Sequence, residues 1–104
     1  MAKIIWTEKA TGHLRAIFDY ISEDSPLYAE RFIRALVTSA AKLEGMPSCG
    51  RIVPEFYDQN IREVVFRNYR IVYTLNKLPS LPIIAVIHGA RDFSAHVFEE
   101  WELS

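Results

Sequence analysis

The sequence predicts a single α+β domain of order β-α-α-β-β-β, in which an antiparallel sheet packs against an α-helical hairpin. Two stretches in the first half repeat apolar residues at helical spacing. Three stretches in the second half are short and rich in β-branched and aromatic residues. A chain of 104 residues has room for one modest core, so we expect residues 1–104 to form one domain without a separate catalytic domain.

The first elements are a short strand and a helix. Lys3–Trp6 is apolar and extended in character, and Thr7 followed by Glu8 is typical of a helix start with an acid in the first turn. The apolar stripe then continues to a helix end near Glu23. Its members are Ala10, Leu14, Ile17, Phe18 and Ile21.

A second helix follows almost at once. Ser25 is a good helix cap, and Pro26 suits the first helical position because its missing N–H is not needed there. Gly45 and Pro47 end the helix. Only a residue or two separates the two helices, so we expect an antiparallel hairpin.

The remaining chain predicts a loop and three strands. Residues 49–60 have no sustained period and predict a connecting loop. Ile61–Phe66 and residues 69–75 predict strands, joined by a tight turn at Arg67-Asn68. Residues 83–88 are almost all apolar, which predicts a central strand.

Alternation along the strands assigns arginines to a face. Period two separates Arg70 from the apolar residues on either side of it in its strand. We therefore expect Arg62 and Arg70 on the face that the helices leave open, or at its rim. Glu55 and Glu63 are the nearby carboxylates, and each can pair with an arginine or act alone.

Charge is unevenly distributed along the chain. The formal net charge is -1, which predicts no bulk attraction to nucleic acid. Residues 51–91 carry six basic and three acidic side chains, whereas residues 92–104 carry four acidic and no basic ones. We therefore expect the functional surface on the basic sheet, followed by an acidic C-terminal tail.

Cysteine and histidine positions exclude several kinds of site. The single cysteine, Cys49, rules out an internal disulfide, and it forms no zinc-ligand spacing with His13, His88 or His96. There is no glycine-rich phosphate loop and no serine nucleophile elbow. We expect no metal, no cofactor and no membrane contact, and a cytoplasmic protein, because no signal peptide or long apolar run is present.

Five short segments occur in an order and spacing typical of one group of bacterial toxins. They are Asp19-Tyr20-Ile21, Pro47-x-x-Gly50-Arg51, Ile61-Arg62-Glu63-Val64, Tyr69-Arg70-Ile71-Val72-Tyr73 and Ile87-His88-Gly89-Ala90-Arg91. Together they span essentially the whole chain, which resembles the ParE/RelE superfamily of type II toxin–antitoxin systems.

The resemblance implies one of two activities. RelE-like members cleave mRNA on the ribosome, gripping the scissile phosphate with basic residues and using a terminal tyrosine or histidine as acid or base. ParE-like members poison DNA gyrase and are not thought to cleave RNA. Either kind is held inactive by a cognate antitoxin, with which it forms a hetero-oligomer.

The positions needed for RNA cleavage are only partly filled. Arg70 matches the arginine of the RelE-like Tyr-Arg-x-x-Tyr strand, and Arg91 matches the arginine just after the last strand, so both could stabilise phosphate charge. The terminal tyrosine expected beyond Arg91 falls on residues 97 and 98, which are valine and phenylalanine. His88 and His96 remain as candidates for the proton role. We therefore favour a ParE-like gyrase inhibitor with a ParD-like antitoxin and no catalytic residues; the alternatives are a RelE-like ribonuclease and a non-toxic binding module or co-repressor.

The same resemblance suggests which residues meet each partner. The expected contacts of the target are Arg62, Arg70, Arg91 and Trp101. The expected contacts of the antitoxin lie on the helix hairpin and are Leu14, Phe18, Phe32 and Leu36. The C-terminal region of ParE-like toxins is associated with toxicity, so removing the residues after Asp92 is expected to abolish toxicity and spare the fold.

Overall fold

The α+β architecture and the order of its main elements are confirmed. The structure, a computed structural model, describes residues 1–89. Its helices are α1 (Glu8–Ser22) and α2 (Pro26–Ala41), followed by the short 3₁₀ helices Lys42–Glu44 and Pro47–Cys49. Its strands are β1 (Lys3–Trp6), β2 (Arg51–Ile52), β3 (Ile61–Phe66), β4 (Tyr69–Thr74) and β5 (Ser80–His88).

Both helices begin at the predicted caps. The Thr7 hydroxyl accepts the N–H of Ala10, and the Ser25 hydroxyl accepts the N–H of Tyr28, so each satisfies a donor that the first helical turn leaves free. Pro26 occupies the first turn of α2, as expected. None of the helices in residues 1–89 is long and apolar enough to span a membrane.

The strands form one sheet in the order β1-β5-β4-β3-β2. The sheet is mixed rather than purely antiparallel, because β1 runs parallel to β5, with Lys3 opposite Ser80 and Trp6 opposite Ile83. The other neighbours are antiparallel. The parallel pair is possible because the helix hairpin and the rest of the sheet lie between β1 and β5 in the chain. β5 has a strand on each side, which confirms its predicted inner position.

β2 lies inside the segment for which the sequence predicts only a loop. It is two residues long, and it pairs with β3 through Arg51 opposite Glu63 and Ile52 opposite Arg62. A strand this short has no period that a sequence can display. Its existence depends on pairing with the edge of β3.

Apolar residues form two clusters, one on each side of the sheet. The larger packs the inner sides of α1 and α2 against the sheet and includes Ile17, Leu36 and Ile71. The smaller lies on the opposite side, which we call the far face, and contains Val53, Val72 and Ala85 with Phe56, Ile61 and Ile87 against them. The segment that follows β2 therefore covers part of the far face.

A close contact fixes the chain just before β2. The Gly50 N–H donates to the Tyr73 hydroxyl at 2.9 Å, and that hydroxyl donates to the Pro47 carbonyl at 2.7 Å. Tyr73 is fully buried. A Cβ atom on Gly50 would overlap the Tyr73 hydroxyl and lie 2.8 Å from the carbonyl oxygen of Glu63. Only glycine allows this approach.

We predict that Gly50→Ala lowers the free energy of unfolding by about 1–3 kcal/mol, because the added methyl group overpacks a buried contact. Gly12→Ala is the matched control, since a Cβ there meets nothing within 4 Å. At this helical position alanine is expected to raise the free energy of unfolding by up to about 1 kcal/mol, because alanine favours the helix more than glycine does. Urea unfolding measures both, and equal effects of the two substitutions would contradict the packing argument.

Candidate functional site

Arg70 is the centre of an ion-pair cluster on the far face. It lies on β4 and is only 7% exposed. Its Nη1 and Nη2 atoms donate to the two carboxylate oxygens of Glu55, each at 2.9 Å. Its Nε atom donates to Glu63 on the neighbouring strand. Both edges of the guanidinium are thus engaged by carboxylates.

Glu63 joins Arg70 to the edge of the sheet. Its side chain is completely buried, and its second oxygen accepts a hydrogen bond from the Nε atom of Arg51. Arg51 is itself largely exposed. The four side chains Arg51, Glu55, Glu63 and Arg70 carry two positive and two negative charges, so the cluster is neutral as a whole.

The pairing reinforces the charged forms of its members. The hydrogen bond from Arg70 holds the pKa of the Glu55 carboxyl below its ordinary value, although burial opposes this. The hydrogen bond to Glu55 raises the pKa of Arg70 in return, again against the effect of burial. Both groups are therefore ionised at neutral pH, as a tight bidentate pair requires.

The expectation that Arg70 is an open target contact or phosphate ligand is wrong for this structure. Its guanidinium is buried and held by two carboxylates. Alternation placed the residue on the correct face, but Glu55 comes from the segment that covers this face. The sequence left open whether Glu55 and Glu63 pair with arginines or act alone. In the structure both pair with arginines.

Arg62 also binds the protein's own chain. Its Nε atom donates to the carbonyl of Gln59 at 2.6 Å, and its Nη1 atom donates to the carbonyls of Ser48 and Gly50 at 3.0 and 3.1 Å. Arg62 is half-buried and ties together the segments before and after β2. In this structure it holds loops in place.

His88 lies exposed at the end of β5, where its ring meets the Tyr69 ring edge-on with centroids 5.4 Å apart. Arg91, His96 and Trp101, which complete the expected target and catalytic residues, lie outside the described residues. Within residues 1–89, no group of three or more His, Cys, Asp or Glu side chains is placed to hold a metal ion.

The helix hairpin presents an apolar groove on its outer side. The groove has a volume of about 370 Å³. It is lined by Phe18 of α1 and by Glu30, Ile33, Arg34, Val37 and Thr38 of α2. Glu30 and Arg34 form an exposed ion pair at 2.7 Å. The groove is thus apolar at its floor and charged at its rim.

Two of the four expected antitoxin contacts are wrong as surface residues. Phe32 and Leu36 are 7% and 0% exposed, because they point into the core between α2 and the sheet. Leu14 is half-buried against the same core. Phe18 does line the groove. Ile33 and Val37 also line the groove, although the sequence did not single them out as expected contacts.

We predict that Glu55→Gln removes a pH-dependent part of the stability. The pKa of Glu55 is lowered on folding, so its contribution is full above the ordinary value of 4.5 and is lost as pH falls through the folded pKa. The difference in unfolding free energy between wild type and variant should stay constant from about pH 8 to 6 and shrink below about pH 4.5. Urea unfolding across this range measures it, and a difference that grows as pH falls would contradict the pairing.

Comparison with known proteins agrees with this fold. A chain of the chromosomal ParDE toxin–antitoxin system from P. aeruginosa superimposes with a TM-score of 0.71, covering 85% of this chain and 96% of that one. At 21% identity, this likeness concerns the fold. Toxin RelE2 of Caulobacter vibrioides is 44% identical over 93 residues, covering 88% of this chain and 99% of the relative.

The family model that describes the ParE toxin of the type II toxin–antitoxin system parDE matches residues 4–93, which is most of the chain. A match of this extent covers α1, α2 and all five strands of the sheet except Lys3, the first residue of β1. This chain therefore belongs to the ParE family of type II toxins, and that membership implies a cognate antitoxin as its partner.

Proposed function

We propose that this toxin acts in the cytoplasm by inhibiting DNA gyrase and that a ParD-like antitoxin neutralises it. The chain belongs to the ParE family, and gyrase is the target that the resemblance to ParE-like toxins implies. The choice between gyrase and the ribosome depends on whether the chain carries the groups that RNA cleavage needs. Arg70 is the residue that bears on this choice most directly.

The neutralised state of Arg70 is the observation that carries the proposal. Cleavage by an internal hydroxyl requires cations that stabilise charge on the phosphate. Arg70, which matches the RelE-like phosphate ligand, gives its donors to Glu55 and Glu63 instead. An RNA phosphate would have to displace Glu55 from a bidentate pair and approach buried, negatively charged Glu63. This arrangement supports a toxin that does not use Arg70 on RNA.

We predict that induction of the chain without antitoxin stops DNA synthesis before protein synthesis. Parallel pulses of labelled thymidine and methionine measure the order. In a purified system, the chain should block supercoiling by gyrase and leave a reporter mRNA intact on translating ribosomes. The mRNA is expected to stay intact because Arg70 gives its donors to Glu55 and Glu63 and is not available to bind an RNA phosphate.

An immediate stop in translation with cleaved mRNA would overturn this proposal in favour of a RelE-like ribonuclease. A chain that binds its antitoxin but arrests neither process would instead be a binding module or co-repressor. Uninduced cells with the same plasmid provide the control for both labels.

The groove between α1 and α2 is the proposed docking site of the antitoxin. Its apolar floor of Phe18, Ile33 and Val37 suits the apolar side of an amphipathic helix, a common way in which a segment folds onto a partner. The charged rim of Glu30 and Arg34 can add polar contacts at the edge. In this proposal, the groove residues take the place of the buried residues Phe32 and Leu36 as contacts of the antitoxin.

We predict that Val37→Asp weakens antitoxin binding at least about tenfold, because a charge in the floor of an apolar groove loses hydration on docking. Ala16→Asp is the matched control: it places the same residue in mid-helix, on the flank of α1 opposite Phe18. Isothermal titration with the cognate antitoxin measures both affinities. Equal losses for the two variants would contradict docking in the groove.

A further inference from the structure

Tyr57 is the most exposed aromatic side chain among residues 1–89 and has an unusual backbone. Its exposure is 97%, and its φ angle is 52°, in the left-handed region. A bulky residue rarely adopts this region, where asparagine or glycine is the usual choice. A strained backbone that carries a fully exposed aromatic ring is a feature found at binding sites.

The chain before Tyr57 is anchored to the far face. Glu55 is held by both Nη atoms of Arg70 at 2.9 Å. Phe56 packs against Val72 and the rest of the smaller apolar cluster. The two residues that precede Tyr57 are thus fixed by a bidentate ion pair and by apolar packing.

The chain after Tyr57 is anchored as well. The Asp58 carboxylate accepts the N–H of Asn60 at 2.9 Å, and the Asp58 carbonyl accepts the N–H of Ile61 at 3.1 Å. Arg62 binds the carbonyl of Gln59. Residues 53–60, which we call the Tyr57 loop, are therefore held on both sides of the tip. The Tyr57 ring is therefore carried by an anchored loop.

We propose that Tyr57 is the residue by which this toxin grips its target, and that it inserts into an apolar pocket on a protein surface. Exposed aromatic residues on rigid supports lose little conformational entropy on binding and often dominate the affinity of an interface. This inference rests on the proposed function in so far as the target is a protein such as gyrase.

The charges around Tyr57 favour a protein over a nucleic acid. The Tyr57 loop contains two acidic residues, Glu55 and Asp58, and no basic residue. The nearest buried cation, Arg70, is neutralised by Glu55 and Glu63. A surface that stacks on bases normally adds cations for the phosphates. Among the described residues, the arginines near this loop are already engaged: Arg62 donates to backbone carbonyls, and Arg51 pairs with Glu63.

The Tyr57 loop is also separate from the groove proposed for the antitoxin. Phe56 packs on the far face of the sheet, whereas the groove lies on the outer side of the two helices. A change at Tyr57 should therefore affect the target and leave antitoxin affinity unchanged. This separation makes the inference testable.

The test compares wild type, Tyr57→Asn and Tyr57→Phe as full-length chains. Asparagine accepts the left-handed backbone, so the variant should be at least as stable as wild type in urea. We expect Tyr57→Asn to need at least about ten times more protein to inhibit purified gyrase and to arrest growth far less. Tyr57→Phe, which keeps the ring, should remain within about threefold of wild type.

Several outcomes would overturn the inference. Tyr57→Asn could be as potent as wild type, it could lose antitoxin affinity by the same factor, or it could lose binding to a short duplex DNA used as probe. If wild type arrests growth without acting on gyrase, the gyrase proposal fails, and the growth comparison alone decides the role of Tyr57. A wild-type chain that does neither overturns both proposals.

Discussion

The rest of the far face depends on the need to pair one buried carboxylate. Glu63 lies on β3 and is 1% exposed, so its charge must be met by hydrogen-bond donors inside the sheet. Arg51 meets it from β2 and Arg70 meets it from β4. The two Nη atoms of Arg70 each donate to a carboxylate oxygen of Glu55. The buried charge of Glu63 thus helps place the edge strand through Arg51, and through Arg70 and Glu55 it holds the following loop on the sheet. Removing Arg70 would take one partner from buried Glu63 and both hydrogen bonds from Glu55, which is costly for buried charges.

This constraint changes which residues are available for partners. Two arginines that the sequence suggested for a basic surface instead bind groups of the protein itself. Arg70 belongs to the ion-pair cluster, and Arg62 donates to three backbone carbonyls. The loop that Arg62 and Arg70 hold in place instead exposes the ring of Tyr57. Under the two proposals, target and antitoxin bind different sides of the sheet. Toxicity and neutralisation can then be altered independently by substitution.

Much of the fold could be predicted from the sequence because its signals are local. Thr7 and Ser25 cap the helices as expected, and alternation in β4 put Arg70 on the correct face. The parallel pairing of β1 and the two-residue β2 could not be predicted, since both depend on contacts between distant segments. The burial of Arg70 was missed for the same reason: Glu55 lies 15 residues earlier in the chain, and only the folded loop brings it over the sheet.

The burial of Arg70 is the central claim, and hydrogen exchange of its Nε–H group, followed by NMR, tests it most directly. Exposed Arg15 on α1 provides the internal comparison. The account predicts that the Arg70 Nε–H exchanges at least about tenfold more slowly than that of Arg15 at neutral pH, because it is buried and bonded to Glu63. Exchange of the two groups at the same rate would contradict the cluster, and would return Arg70 to the surface as a possible phosphate ligand.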